Sequence, residues 1–299
     1  METLPASGSD VADRGAGAGK QPSPPARRGA EGELCLPNLI IIGAQKCGTS
    51  GLHYYLSLHP EVSMSNPKEL NFFIAERNWP RGLEWYSRHF DPRATVRGDA
   101  SPNYTSFPNH TGVPERMKEV VPEARLIYIV RDPVERIAAH WVHNYAKRRE
   151  KGSMRETLLH PNTSYVSRSK YYMQLRHFLD HFPSEQILVL DNSDLRDDRE
   201  ATLRRIFEFL GVAPDFSHPK FEQLRHSTSR KKRATKLGMR IQRMSKTKLG
   251  KRLPRRAWLA LDVALPLSKP IGRPSIEEVR EALGREVLEV LHQDADRLR

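Results

Sequence analysis

The sequence predicts an α/β domain, with a central parallel β-sheet flanked by helices in three layers. Three observations carry that expectation. Short apolar runs rich in β-branched residues occur at Leu39–Ile42, Arg125–Val130 and Ile187–Leu190, which is the pattern of strands buried on both faces. Helical spacing follows the first of them: Leu52, Tyr55 and Leu56 recur until His59-Pro60 stops them. Between that strand and that helix lies Gly43-Ala44-Gln45-Lys46-Cys47-Gly48, a G-x-x-x-x-G loop, so the expected architecture is of the P-loop type.

A loop of this kind brings backbone N–H groups and the positive end of a helix to one point, which suits an anion such as phosphate. The spacing is that of nucleotide triphosphatases, but Thr49-Ser50 stands where those proteins have Lys and then Ser or Thr. The loop's lysine is Lys46, placed to lie over a phosphate group without being the Walker lysine. The plainer alternative is an ordinary strand–turn–helix corner. The stretch Gly43–Ser50 resembles the 5′-phosphosulfate loop of sulfotransferases that use PAPS (3′-phosphoadenosine 5′-phosphosulfate). The likeness is greatest to the heparan sulfate sulfotransferases and their bacterial relatives.

Further segments extend the resemblance from about Pro37 to the C-terminus. Glu69-Leu70-Asn71-Phe72-Phe73 lies about twenty residues beyond the loop. A carboxylate beside Lys68 and ahead of two aromatics is either a tuned, partly buried acid or a surface ion pair. The resemblance assigns Glu69 the role of catalytic base. Trp79 and Trp85-Tyr86 read as core and rim aromatics. Asp99-Ala100-Ser101-Pro102-Asn103-Tyr104 is similar to a segment that usually reads Glu-Lys-Ser/Thr-Pro-x-Tyr, with Ala100 in place of the lysine.

Arg131 follows the second apolar run directly. Residues at the carboxyl ends of parallel strands line the ligand crevice of open α/β sheets, and a planar guanidinium suits a phosphate. The alternative is a structural Arg131–Asp132 pair. Arg131 to Trp141 resembles the family's 3′-phosphate motif, Arg-x-Pro-x-x-Arg-x-x-Ser-x-Trp/Tyr, except that its serine is Ala139. The missing hydroxyl is worth about 1–2 kcal/mol if nothing replaces it; His140 and His143 are the neighbours available to do so. Later, Leu175, Phe178, Leu179 and Phe182, and then Leu203, Ile206, Phe207 and Leu210 closed by Gly211, form apolar helix faces. Ser275 with Glu278 is a capping-box pattern opening a C-terminal helix over 275–298.

Composition bounds the remainder. The 299 residues are 38% hydrophobic and 28% charged, an ordinary soluble balance. Residues 1–36 form a Gly-, Ala-, Ser- and Pro-rich segment expected to be disordered, ahead of one sulfotransferase-like domain over 37–299. With two cysteines, Cys35 and Cys47, no apolar run of the roughly 18–20 residues a span needs, and no signal-peptide pattern, the expectation is a soluble protein of the reducing cytoplasm. The net charge of +13 is concentrated: Arg225 to Arg256 holds fourteen Lys and Arg and no acid, leaving a near-neutral remainder. Leu237, Ile241 and Met244 fall on one face of a helix in this segment, which reads either as a surface for a polyanion or a membrane or as a solvated basic face that packs its one apolar stripe on the core. No aromatic interleaving points to specific nucleic acid.

The function expected is therefore sulfuryl transfer from PAPS to a hydroxyl or amine. In it Glu69 is general base and Lys46 stabilises the departing phosphate. Gln45, Lys46, Cys47, Gly48, Thr49, Ser50 and Arg131 hold the donor. The resemblance adds Arg230, in a basic loop over Arg230–Arg233 that closes on the cofactor. No metal is expected. The alternatives are a P-loop kinase and a PAP- or polyanion-binding protein without turnover. The acceptor stays open among polysaccharide, lipid, phenol and small metabolite.

Overall fold

The computed structural model describes residues 34–150, 152–158, 163–223, 232–235, 268–272 and 274–298. From Leu39 the chain alternates strand and helix: β1 (Leu39–Gly43), α1 (Thr49–Leu56), β2 (Val62–Met64), α2 (Gly82–Ser87), β3 (Val96–Ala100), α3 (Val113–Val120) and β4 (Arg125–Val130). Helices α4 (Pro133–Ala146), α5 (Met154–Leu158), α6 (Ser164–Ser167) and α7 (Tyr171–Leu179) then precede β5 (Ile187–Asp191). After it come α8 (Asn192–Asp197), α9 (Arg199–Leu210), a two-stranded antiparallel ribbon of β6 (Lys232–Ala234) and β7 (Ser268–Pro270), and α10 (Ile276–Asp296).

Five strands form one parallel sheet in the order β2-β3-β1-β4-β5, with helices packed around it, as the apolar runs predict. Leu39, Ile40, Ile41 and Ile42 are wholly buried between β3 and β4. β5 departs from the expectation of a strand buried on both faces. It is an edge strand with β4 as its one neighbour, and Ile187, Leu188 and Val189 are only half-buried. Two strands lack the apolar signature. β2 has three residues, and β3 (Val-Arg-Gly-Asp-Ala) carries polar groups that the site below puts to use.

A second apolar cluster joins α4, α5 and α6 to α10 through Ile137, Trp141, Met154, Val166, Val279, Leu283 and Leu291. The capping box is present: Glu278 N–H donates to Ser275 Oγ (3.1 Å), and Ser275 N–H donates to Glu278 Oε2 (2.7 Å). Gly284, at φ 75°, interrupts the helix. Of the basic segment, only residues 232–235 are described. Lys232 and Arg233 lie in β6 rather than in a loop, and the strand runs alongside α4. The expected N-terminal disorder, Arg230, and the apolar face at Leu237, Ile241 and Met244 lie outside the described residues.

The far end of α10 is tied to the core by one carboxylate. α7 begins without a side-chain cap of its own, and Asp294 accepts from the N–H groups of Tyr172 (2.8 Å) and Met173 (2.9 Å). Those N–H groups have no partner inside the helix, and its positive end favours the carboxylate. Replacing Asp294 by Ala is expected to lower the unfolding free energy by about 1–3 kcal/mol. Urea denaturation checks this, and an unchanged midpoint would show that water satisfies the same groups.

Candidate active site

Of the glycines that bound the loop after β1, Gly43 is required by space and Gly48 by its backbone conformation. A Cβ on Gly43 would stand 2.0 Å from Thr105 Oγ1, and one on Gly48 would stand 2.3 Å from Asn192 Nδ2. Gly48 also has a φ of 103° and Lys46 one of 75°, a left-handed conformation uncommon outside glycine. The turn is closed by Ala44 N–H donating to Ile129 O (2.7 Å) and Cys47 N–H donating to Ala44 O (3.1 Å). Helix α1 then starts at Thr49, and its first residues, Thr49 to Gly51, line the cleft, so the positive end of the helix lies at a place that favours an anion.

The loop is braced from β4 and α4. Arg131 Nη1 donates to Lys46 O (3.4 Å), and Arg136 Nη1 reaches Gln45 O (3.5 Å). Arg136 is wholly buried and also donates to Ser169 Oγ and Tyr165 O, both at 2.6 Å, so it acts as a strut. Arg131 pairs with Glu135 and lines the cleft. Asp132 is committed elsewhere: its carboxylate caps α4, accepting from Glu135 N–H at 2.7 Å.

Lys46 Nζ lies 3.4 Å from His143 Nδ1. His140 and His143 both line the cleft, whereas Ala139 is buried away from it. Burial, and then the Arg136 guanidinium, push His140 well below its ordinary range, so it is neutral at pH 7.

Cys47 turns inward. Its thiol is wholly buried, 3.5 Å from the Tyr171 hydroxyl, and burial pushes it up to about 11. Of the predicted loop residues, Gln45, Lys46, Gly48, Thr49 and Ser50 line the cleft, and Cys47 does not. Gln45 Oε1 is buried with no hydrogen-bond partner among the described residues.

Glu69 is presented from the β3 side by a network centred on Asp99. This buried carboxylate accepts from Tyr104 OH (2.7 Å), Ser101 Oγ (2.8 Å) and Tyr86 OH (3.1 Å). Burial raises its pKa, and the hydroxyl donors act against that rise. Ser101 Oγ and Tyr104 OH in turn accept from the N–H groups of Asn71 and Phe72, each at 2.9 Å. Asn71 Nδ2 then donates to Glu69 O (2.7 Å). This holds Glu69 and Asn71 at φ values of 67° and 49°. The Glu69 side chain is 46% exposed, ion-paired to Lys68 at 3.1 Å, and lines the cleft. Phe72, Phe73, Trp79 and Tyr86 pack beneath it as core, and Trp85 lies half-buried at their edge. Ala100 is a buried strand residue outside the cleft.

The cleft, of about 620 Å³, runs along the carboxyl edge of the sheet. Asn103 and Glu69 mark its β3 end, the glycine loop lies at β1, Arg131 at β4 and Asn192 at β5. Among the described residues, eight of the lining side chains are Lys or Arg and one, Glu69, is a carboxylate. The sequence reading gave no role to Asn103, the variable position of the Asp99–Tyr104 segment, and missed Arg77, Arg168, Asn192 and Arg199, which carry no local signal and meet only through the topology. Among the described residues no group of His, Cys, Asp and Glu is arranged to hold a metal ion.

Comparison with known proteins converges on one group. The sulfotransferase domain family matches residues 36–254. The bifunctional heparan sulfate N-deacetylase/N-sulfotransferase 1 of Caenorhabditis elegans is 28% identical over 211 residues, which is 65% of this chain and 24% of that protein. The human protein 2 of that name is 29% identical over 199 residues, 60% of this chain and 22% of its own length. This chain thus spans about a quarter of the length of these relatives. A solved sulfotransferase from Alicyclobacillus acidocaldarius superposes with a TM-score of 0.55 and 27% identity, covering 75% of this chain and 98% of the other.

The burial of Cys47 makes a direct prediction. At pH 8, well below a value of about 11, its thiol stays protonated and enclosed. A disulfide reagent such as DTNB is expected to titrate no more than one thiol per native chain, Cys35, and two after denaturation. Rapid reaction of both in the native protein would mean that the glycine loop opens.

Proposed function

This chain belongs to the sulfotransferase domain family, and on that premise we propose that it transfers a sulfuryl group from PAPS to a hydroxyl or amine. One observation carries the reading: two cation-bearing strand ends stand side by side in a cleft whose one carboxylate among the described residues is Glu69. The residues present fit such a donor. Its 5′-phosphosulfate suits the N–H groups at Gly48, Thr49 and Ser50 with Lys46 and Gln45 beside them, and its 3′-phosphate suits Arg131. Arg230, outside the described residues, belongs to the same proposal as a further donor contact.

Bound PAPS supplies an activated sulfuryl group with a phosphate as its leaving group. The chain's own part is positioning and charge. Glu69 accepts the proton of the attacking hydroxyl or amine, and its half-exposed carboxylate is open to the cleft from which an acceptor enters. Lys46 places a fixed cation where negative charge develops on the leaving phosphate. His143, 3.4 Å from Lys46 Nζ, restricts where that ammonium swings. We place the protein in the cytoplasm as part of the same proposal; its two cysteines are unpaired.

The kinase alternative is disfavoured on two counts. Thr49 occupies the position of the phosphate-binding lysine, and the acid that follows β4, Asp132, caps α4. The buried Ala100 and Ala139 keep a second reading in view, a PAP-binding protein without turnover.

Site variants separate these readings. Lys46→Ala and Glu69→Gln are each expected to lower transfer of radiolabelled sulfate from PAPS at least about a hundredfold. Glu69→Gln is expected to keep PAP affinity within about twofold, a change of under about 0.5 kcal/mol. Loss of PAP binding in Glu69→Gln would remove that residue from the base role. Tight PAP binding by the unaltered protein, with no transfer to phenol, sugar or lipid acceptors, would favour the second reading.

A further inference from the structure

Arg168 is the least explained cation among the described residues. It follows α6, is 8% exposed and lines the cleft floor. It forms no ion pair among the described residues. Its one side-chain bond goes to a neutral group, Nη1 donating to Asn103 Oδ1 at 3.1 Å, and its buried Nε has no partner. A buried guanidinium without a counter-charge is costly. Arg77 and Arg149 add to that cost. Both are exposed on the rim of the same cleft and come from distant segments. Burial first, and then Arg136, Arg77 and Arg149, depress the Arg168 pKa below its ordinary range. Glu69 does not relieve the repulsion, since Lys68 pairs with it.

We infer that this β3 end of the cleft is a subsite for one anionic group of the acceptor, a carboxylate, sulfate or phosphate seated on Arg168 and flanked by Arg77 and Arg149. The inference rests on the sulfotransferase reading and specifies its acceptor class. Side-chain bonding, rather than distance, sets this subsite apart from the donor's seats. The glycine loop and Arg131 lie at β1 and β4, whereas Arg168 is bonded into the segment that carries the base. It donates to Asn103 Oδ1, Asn103 Nδ2 donates to Asn71 Oδ1 (2.9 Å), and Asn71 Nδ2 donates to Glu69 O (2.7 Å). One short chain of hydrogen bonds therefore spaces the acceptor's charge from the carboxylate that takes its proton. An acceptor is selected by having both groups at that spacing, and a neutral analogue leaves Arg168 buried and unpaired.

The test uses the full-length protein saturated with PAP, so that the donor's seats are filled. Two matched pairs are titrated by calorimetry: 4-hydroxybenzoate against its methyl ester, and glucuronate against its methyl ester. In at least one pair the charged member is expected to bind at least about tenfold tighter. Arg168→Met and Arg77→Ala are each expected to remove most of that preference while PAP affinity stays within about twofold. Arg77 is exposed, so its variant reports even where Arg168→Met fails to fold. Equal affinity for charged and neutral members in both pairs, including none for either, overturns the inference. So does a variant that loses PAP affinity as strongly as the charged ligand, because the cluster would then serve the donor. Failure of the unaltered protein to bind PAP would sink the sulfotransferase reading itself.

Discussion

Everything at the cleft depends on β1 being enclosed. Its four apolar residues are wholly buried between β3 and β4, so the chain has one way out, over the carboxyl edge of the sheet. It leaves there through Gly43, where a side chain would strike Thr105 and Tyr128. The hydrophobic term fixes the strand, at about 1.5–3 kcal/mol for each large buried side chain. The fixed strand then places the loop and the start of α1. Because every neighbour in the sheet is parallel, the ends of β3, β4 and β5 deliver their own residues to the same edge.

That geometry has an electrostatic cost. Among the described residues eight cations share one cleft with a single carboxylate, and like charges this close oppose folding. The structure manages the repulsion by giving several cations other partners. Arg131 pairs with Glu135, Arg199 lies over the Tyr55 ring and donates to Phe221 O, and the deeper Arg136 is spent entirely on neutral acceptors. What remains is a cleft that gains stability whenever an anion binds, since ligand binding to the folded state adds directly to it. Asp99 plays the opposite part. Buried among hydroxyl donors, it holds the segment that turns Glu69 toward those cations.

Local chemistry was readable in the sequence and assembled chemistry was not. The β1 and β4 runs, the glycine spacing, Arg131 at a strand end and the Ser275–Glu278 box are all written in adjacent residues, and each stands where it was expected. The extent of β5's burial was not readable, because burial depends on how many neighbours a strand has rather than on its composition. β3 escaped notice for the reason that makes it useful: Asp99 and its neighbours are polar because they hold the Glu69 segment. Cys47 matches the loop motif by position, yet the left-handed turn at Lys46 sends its side chain into the core. Arg77, Arg149 and Arg168 had no signal at all, since nothing local distinguishes an arginine that three loops will bring together.

The central claim is that two adjacent strand ends form the paired anion seats of a PAPS-type donor, so the most direct measurement is calorimetric titration with PAP and, separately, with ATP and Mg²⁺. The account predicts micromolar PAP binding that weakens at least about tenfold in Arg131→Ala, a change of about 1.4 kcal/mol or more, with little heat from ATP. Preference for ATP with Mg²⁺, or PAP binding indifferent to Arg131, would contradict it.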